Sequence, residues 1–516
     1  HQKSEMRKYF LLAGIVIATE IKAQVYELES LSVIKDRKTL FDQVLFGSKF
    51  YGVDNISTSN FSWMGPLGKI RSSCKLLSYD INLNPVKEII LGDGKEIFGP
   101  FNPFLKEINR NLYLIYYQPE TNSSIDVYAA KIDTLTLGLA AAKKVLTIAA
   151  EKVNSLKFID VIKSEQFLVE QSADKSKMIW CWTSGFINDY SCVVTDRDMN
   201  MIGKASHGKL ENAKEFTIGN ILVDNTGNFF VTCWYEKKNI YYPSLLAGNV
   251  SGTVKVIDIK LEGTFAHQVY VAPGSTEDHV KLTGTSCKKG EYITGIFSAN
   301  IDKKGLGSSK FVMKEIDEHL VEQYRTDDYA LTKNKESGLN PYIQFEHFTM
   351  ADGTIILAGD LTRFLGQGHA VLDDPVKGSS AIIVFTAAGE IIIKRLPKKE
   401  LLGLKTGNNF FVQKWEDKLV LLYTDLESNV NTALDQARTA SFNSKGNIVM
   451  VAATIEKDGK ITRRILHPDA AGFYFSPNLA RRVNDNTILL GFEKEKIRLA
   501  NVKTTYAFFF LKMNEE

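Results

Sequence analysis

The sequence predicts an all-β fold, a single β-propeller of eight four-stranded blades closed by its N-terminal strand, with seven blades as the alternative count. Three observations predict it. A glycine-led strand motif returns at 63-residue steps, a strand–turn–strand pattern runs out of phase with it, and the two chain ends each hold part of a blade.

The first observation rests on Gly227-Asn228-Phe229-Phe230-Val231-Thr232, Gly290-Glu291-Tyr292-Ile293-Thr294-Gly295 and Gly353-Thr354-Ile355-Ile356-Leu357-Ala358-Gly359. Each copy is a glycine able to take positive φ at a turn, followed by aromatic and β-branched residues suited to a buried strand. With the first large apolar residue as anchor, the series becomes Phe50, Leu112, Phe167, Phe229, Tyr292, Ile355, Leu419 and Ile488, at intervals of 62, 55, 62, 63, 63, 64 and 69. A fixed period of this length is the signature of repeat architectures.

The second pattern is expected to be the outer hairpin of each blade. It runs over Leu76 to Ile90, Cys192 to Lys204, Phe311 to Tyr324, Ala381 to Leu396 and Ile448 to Leu466, with turns such as Ala388-Gly389 and Asp458-Gly459. Gly-containing turns between alternating apolar runs are the strongest local hairpin signal. Each period thus holds four strands, with loops longer than the roughly 40–45 residues of a WD repeat allow.

At the ends, one strand remains after Ile488, over Thr504 to Met513, while Gln24 to Ile34 is an extended segment without a blade. The N-terminal strand is therefore expected to complete the last blade and remove an exposed edge. Departures from the period mark insertions at Thr134 to Ala150, whose Ala- and Leu-rich composition points to a short helix, at Tyr324 to Asn340 and at Leu426 to Ser441.

Asp224-Asn225-Thr226-Gly227-Asn228-Phe229-Phe230-Val231 resembles the D-x-x-G-N-x-[YF]-V pattern of exported bacterial propeller repeats of uncharacterised function, and Gly290 and Gly353 begin partial matches. The resemblance implies the fold and a surface or periplasmic life; it implies no particular activity, because propellers host many. The Ser-x-Asp-x-Gly-x-Thr-Trp box of sialidases is absent.

Composition fits such a domain. Hydrophobic residues at 44% supply a large core, and charged residues at 24% argue against disorder. Met6-Arg7-Lys8, the apolar run Tyr9 to Ala18 and Thr19 to Ala23 have the layout of a secretory signal, although Glu20 and Ile21 depart from it. Residues 1–23 are accordingly expected to be a signal peptide with a preceding extension before Met6, and 24–516 the propeller. A bilayer needs about twenty apolar residues, so no transmembrane segment is expected in the mature chain. An exported protein, periplasmic or extracellular, follows.

The chain carries 63 basic and 60 acidic residues, and residues 24–516 a formal +1. Nucleic acid would require a strong basic excess, so it is set aside as a partner. The five cysteines include no CxxC pair and no zinc-finger spacing, so no metal site is indicated. Cys181 and Cys192 flank a hairpin and would face each other, either as a disulfide in an oxidising compartment or as small buried apolar residues.

HExxH, GxSxG and EF-hand patterns are missing. Gly203 to Leu210 nearly spells a phosphate-binding loop, but Leu210 stands where a hydroxyl is needed, so no cofactor is expected. More interesting is where the anchored strands end: at Asp54, Glu170, Glu236, Asp360, Asp425 and Glu493. Were the strands equivalent, these carboxylates would ring one face, able to bind a divalent cation, to attract a basic ligand or to hold an acid/base pair. Polar strand ends are also what solvated loops require.

His347 and Glu346 would face opposite sides of an innermost strand, and Glu277-Asp278-His279 is a second polar cluster. Trp180 and Trp182 share one strand face, and Trp234-Tyr235 follow in the next blade. Such rings stack on sugars or peptides, or fill the space between blades. Two functions remain open: a binding or scaffold propeller recognising a glycan, peptide or protein partner, and a carbohydrate-active hydrolase or lyase with its site at the propeller mouth.

Overall fold

In the computed structural model, residues 25–514 are described apart from 36–43, 48, 59–70, 81–84, 92–100, 122–123, 150–164, 185–188, 204–205, 210–215, 238–239, 275, 289–291, 306–309, 328–337, 340–342, 365–374, 403–408, 441–443, 469–473, 485 and 499–500. The expected signal segment, residues 1–23, lies outside the described residues. Eight antiparallel sheets follow one another along the chain, seven with their four blade strands in sequence order and the eighth taking its outer strand from the N-terminal segment, and blade 6 adds the two-residue strand Leu401–Leu402. The structure is an eight-bladed β-propeller.

First strands of neighbouring blades touch, as Phe216–Val223 touches Phe265–Pro273 and the latter touches Gln344–Thr349, which places them around the axis. Each chain segment then moves outward through its blade. Blade 8 consists of Tyr474–Asn484, Thr487–Arg498 and Asn501–Asn514, with Val25–Lys35 paired antiparallel to Asn501–Asn514 as its fourth strand. The closure expected from the chain ends is therefore present, and it removes the free edges that an open sheet would expose.

Six of the eight anchors begin second strands, but two do not. Phe167 lies in the first strand of blade 3 (Glu165–Gln171), and Tyr292 opens the third strand of blade 5 (Tyr292–Asp302). A turn followed by an apolar run describes any buried strand, so spacing alone cannot assign its place in the blade. The expected outer hairpin at Phe311 to Tyr324 is instead the strand Val312–Glu315 followed by a helix, Glu318–Asp327, opened by the backbone N–H of His319 on Asp317 Oδ1 at 2.7 Å. The helix expected within Thr134 to Ala150 is a turn leading to the strand Lys143–Ala149.

The apolar side chains gather between blades, in seven clusters among the described residues, one for each interface from blades 1 and 2 through to blades 7 and 8. Blades 2 to 7 are thus buried on both faces. This explains runs such as Leu419 to Tyr423, buried throughout where an exposed sheet face would alternate.

The two faces of the disc differ. On the lower face lie the turns joining first to second and third to outer strands. There Asp224 Oδ1 accepts from the backbone N–H groups of Thr226 (3.0 Å) and Asn228 (2.9 Å), and Gly227 takes φ +89°. The D-x-x-G-N motif is a turn-forming device. Lysines then tie neighbouring blades: Lys303 of blade 5 meets Asp224 of blade 4 at 3.1 Å, and Lys457 of blade 7 meets Asp352 of blade 6 at 3.3 Å. The upper face carries the connections between blades and the insertion after Leu426. Among the described residues no helix is long and apolar enough to cross a membrane.

Candidate functional site

The strand-end carboxylates divide between the faces. Asp360 and Glu493 each pair with the first residue of a first strand, Gln344 and Tyr474, and Glu236 and Asp425 stand at the same upper ends of their strands. Asp54 is in mid-strand, opposite Lys75. The side chains of Asp54, Glu236 and Glu493 lie outside the described residues. Glu170 is exposed near the lower face, because its strand runs in the opposite direction to the second strands.

Asp360 and Asp425 converge on one buried knot between blades 6 and 7. Asp360 Oδ2 lies 2.7 Å from Lys398 Nζ and accepts the backbone N–H of Asn409 at 2.6 Å, while its Oδ1 accepts from Ser380 Oγ at 2.6 Å. Lys398 and Asn409 both belong to the connection between the two blades, so this carboxylate fastens it. The ammonium also sits 5.2 Å from the centroid of the Phe410 ring, within cation–π range. Burial pulls the Lys398 ammonium below its ordinary pKa, opposed by Asp360 and by the charge of Asp425.

Asp425 accepts the backbone N–H of Leu426 and the Asn429 side-chain amide, both at 2.8 Å, and so anchors the insertion after Leu426. Burial pushes its carboxyl up to about 7, against those hydrogen bonds and the Arg463 charge. Both carboxylates are 0% exposed. Neither is open to a sugar in this arrangement.

The aromatic candidates divide in the same way. Trp180 and Trp182 are 0% exposed in the core between blades 2 and 3, and Trp180 Nε1 donates to Thr195 Oγ1 at 2.9 Å. Trp234 is partly buried, packs against the core between blades 4 and 5, and donates Nε1–H to the carbonyl of His267 at 3.1 Å. His347 stacks flat on Tyr270 of blade 5, with ring centroids 5.5 Å apart, and burial pulls its imidazole down to about 4. It is a neutral packing group at physiological pH.

An open site lies elsewhere. A cleft of about 1070 Å³ opens on the lower face between blades 2 and 3, lined by Asn111, Tyr113 and Lys131 on one side and by the turns Asp174–Lys177 and Asp196–Asn200 on the other. Lys143 reaches across one end, donating to the carbonyl of Asp198 at 2.7 Å and to Asn200 Oδ1 at 3.0 Å. The Tyr113 phenol is pushed up by burial and by the Asp198 charge. Five cations line the cleft, Lys131, Lys143, Lys175, Lys177 and Arg197, against three anions.

The backbone there is unusual. Among the described residues six non-glycine residues take positive φ, and five of them lie in turns of blades 2 and 3: Asn109, Arg110, Leu137, Lys175 and Met199. Met199 stands in Asp196-Arg197-Asp198-Met199-Asn200, where the corresponding turn of blade 4, between its third and outer strands, has Gly252 in Asn249-Val250-Ser251-Gly252-Thr253. Holding an L-residue there costs about 1–2 kcal/mol, and such strain clusters at ligand sites. Asp196 holds its turn through Oδ1 contacts to the N–H groups of Asp198 (2.9 Å) and Asn200 (2.8 Å). This is the turn expected within the hairpin Cys192 to Lys204, and its Asp and Asn form it without a glycine.

The chain matches no protein-family model and no curated protein. Solved structures similar to it include the polysaccharide lyase Uly1, at 10% identity with 93% of this chain and 99% of that chain covered and a TM-score of 0.36. Others are the WD40 domain of SCAP from fission yeast, at 7% identity, 94% of each chain and a TM-score of 0.37, and the β-propeller domain of the Trilobed protease from Pyrococcus furiosus, at 11% identity, 84% and 96% coverage and a TM-score of 0.32. The blades, the ring and the closing strand of this chain are read from its own strand pairings.

Proposed function

We propose that this protein is an exported binding propeller, periplasmic or extracellular, whose cleft between blades 2 and 3 takes a carbohydrate chain. The observation that carries the reading is the cleft itself: an open, polar, strained-turn groove in which Tyr113 stands among amides, carboxylates and ammonium groups. Sugar hydroxyls need paired donors and acceptors together with a ring face, and those groups provide them. A protein partner would instead call for a buried apolar anchor patch, which these residues do not offer.

The surplus of cations favours a chain carrying carboxylate or sulfate groups, through charge-assisted hydrogen bonds. Hydrolysis asks for two carboxyl groups across an open mouth. Asp360 and Asp425, enclosed at 0% exposure, do not supply it.

Titration calorimetry of the folded protein with matched neutral and uronate-bearing or sulfated oligosaccharides tests the proposal. Binding of the acidic set, weakened at least tenfold by Tyr113→Ala and diminished by salt, is expected. Equal or absent binding of both sets, or binding indifferent to Tyr113→Ala, overturns it.

A further inference from the structure

Blade 3 holds two cysteines side by side in its core. Cys181 lies in the second strand (Lys177–Ser184) and Cys192 in the third (Asp189–Asp196), and their Cα atoms are direct cross-strand partners in the ladder. Their sulfurs are 2.9 Å apart. Closing that gap to a bond of about 2.05 Å takes less than about 1 Å of sulfur travel. Both are enclosed, at 0% and 1% exposure, in the core between blades 3 and 4. A third cysteine of that core, Cys233, sits on the neighbouring blade with its sulfur 3.5 Å from the Ser244 carbonyl, and Cys74 and Cys287 belong to other cores.

We propose that Cys181 and Cys192 are a disulfide-forming pair, closed by thiol–disulfide exchange with a small-molecule or protein disulfide. The thiolate of one cysteine attacks a sulfur of the donor disulfide, forming a mixed disulfide and expelling the first donor thiol. The second cysteine then attacks the protein sulfur of that mixed disulfide, forming the Cys181–Cys192 bond and releasing the second donor thiol. Two thiols lose two electrons and two protons, and the donor disulfide becomes two thiols. Because both sulfurs are enclosed, exchange proceeds while the hairpin is still open during folding. The bond fixes the register of two strands whose lower ends carry the turns Asp174–Lys177 and Asp196–Asn200.

The full chain, reduced and unfolded, is refolded with oxidised glutathione, then denatured, alkylated and digested with trypsin. Cleavage after Lys177 and after Arg197, with no Lys or Arg between, leaves both cysteines in one peptide, 178–197. The expected result is that peptide two mass units lighter than the dithiol and unalkylated, with Cys74, Cys233 and Cys287 alkylated, and a melting temperature above that of the chain refolded under reductant. Alkylation of both Cys181 and Cys192, or a cross-link of either to Cys233, overturns the proposal. The readout is covalent, so it is independent of whether the cleft binds carbohydrate.

Discussion

Lys398 Nζ lies 2.7 Å from Asp360 Oδ2, with the two side chains 1% and 0% exposed, and the pair joins the connection between blades 6 and 7 to the second strand of blade 6. An enclosed pair is weak evidence of net stability, because desolvation offsets much of the attraction, but losing one partner strands the other charge. Asp360→Ala is therefore expected to cost about 3–5 kcal/mol, and Lys398→Met a comparable amount. The Asp360→Ala/Lys398→Met double variant should cost much less than the sum. Urea unfolding of the three variants measures it; additive losses would mean that the two side chains act independently.

Asp425 predicts a pH dependence. Its folded-state pKa is raised from 3.8 to about 7 by burial, against the attraction of Lys398, Lys399 and Arg463. The folded state thus holds its proton longer than the unfolded chain, so stability falls as pH rises from about 4 through 7. At about 1.4 kcal/mol per pKa unit the loss is on the order of 4 kcal/mol at most. Asp425→Asn, which carries no titrating proton, is expected to escape that loss, so that its melting temperature relative to the wild type climbs as pH rises from about 4 to 7. An unchanged slope would reassign the effect.

His347 works in the opposite sense. Its pKa is lowered from 6.5 to about 4 by burial against Tyr270, so the stability its neutral form contributes is complete above 6.5 and lost as pH falls toward 4. Between 4 and 6.5 the two groups oppose each other in the wild type. His347→Phe, which keeps a flat ring for Tyr270, is expected to remove the acid-side loss and to leave the slope above 6.5 as it was. Retention of the loss on the acid side would mean that another group titrates.

Repeat length, the outer hairpins other than that at Phe311 to Tyr324, and the N-terminal closing strand were legible because turn residues and apolar runs recur at a near-constant spacing that leaves one extended segment over at each end. What spacing could not show is the direction in which a given strand runs. That is why Glu170, in a first strand, lands near the opposite face from Asp360 and Asp425. Burial was equally hidden. Trp180 and Trp182 share a strand face as expected, but that face packs against blade 2, a relation set by ring closure. The cleft went unread because its residues come from two blades and no contiguous stretch of sequence carries it.

Lys175 gives the sharpest link between the strain in the cleft's turns and the proposed ligand. It is exposed at the cleft, holds φ +59° in the turn between the first and second strands of blade 3, and occupies the place filled by Gly227 in blade 4. Lys175→Gly removes the Cβ penalty but adds unfolded-chain entropy, so the net gain in stability is expected to be small, about 0.5–1 kcal/mol. The same change deletes one cation from the cleft. A protein that melts higher yet binds an acidic oligosaccharide several-fold more weakly, with a shallower salt dependence, is the expected result. Lys175→Asn, whose side chain also tolerates positive φ, should lose the same affinity without the full gain in stability. If Lys175→Gly binds as tightly as the wild type, the strained lysine serves the turn alone.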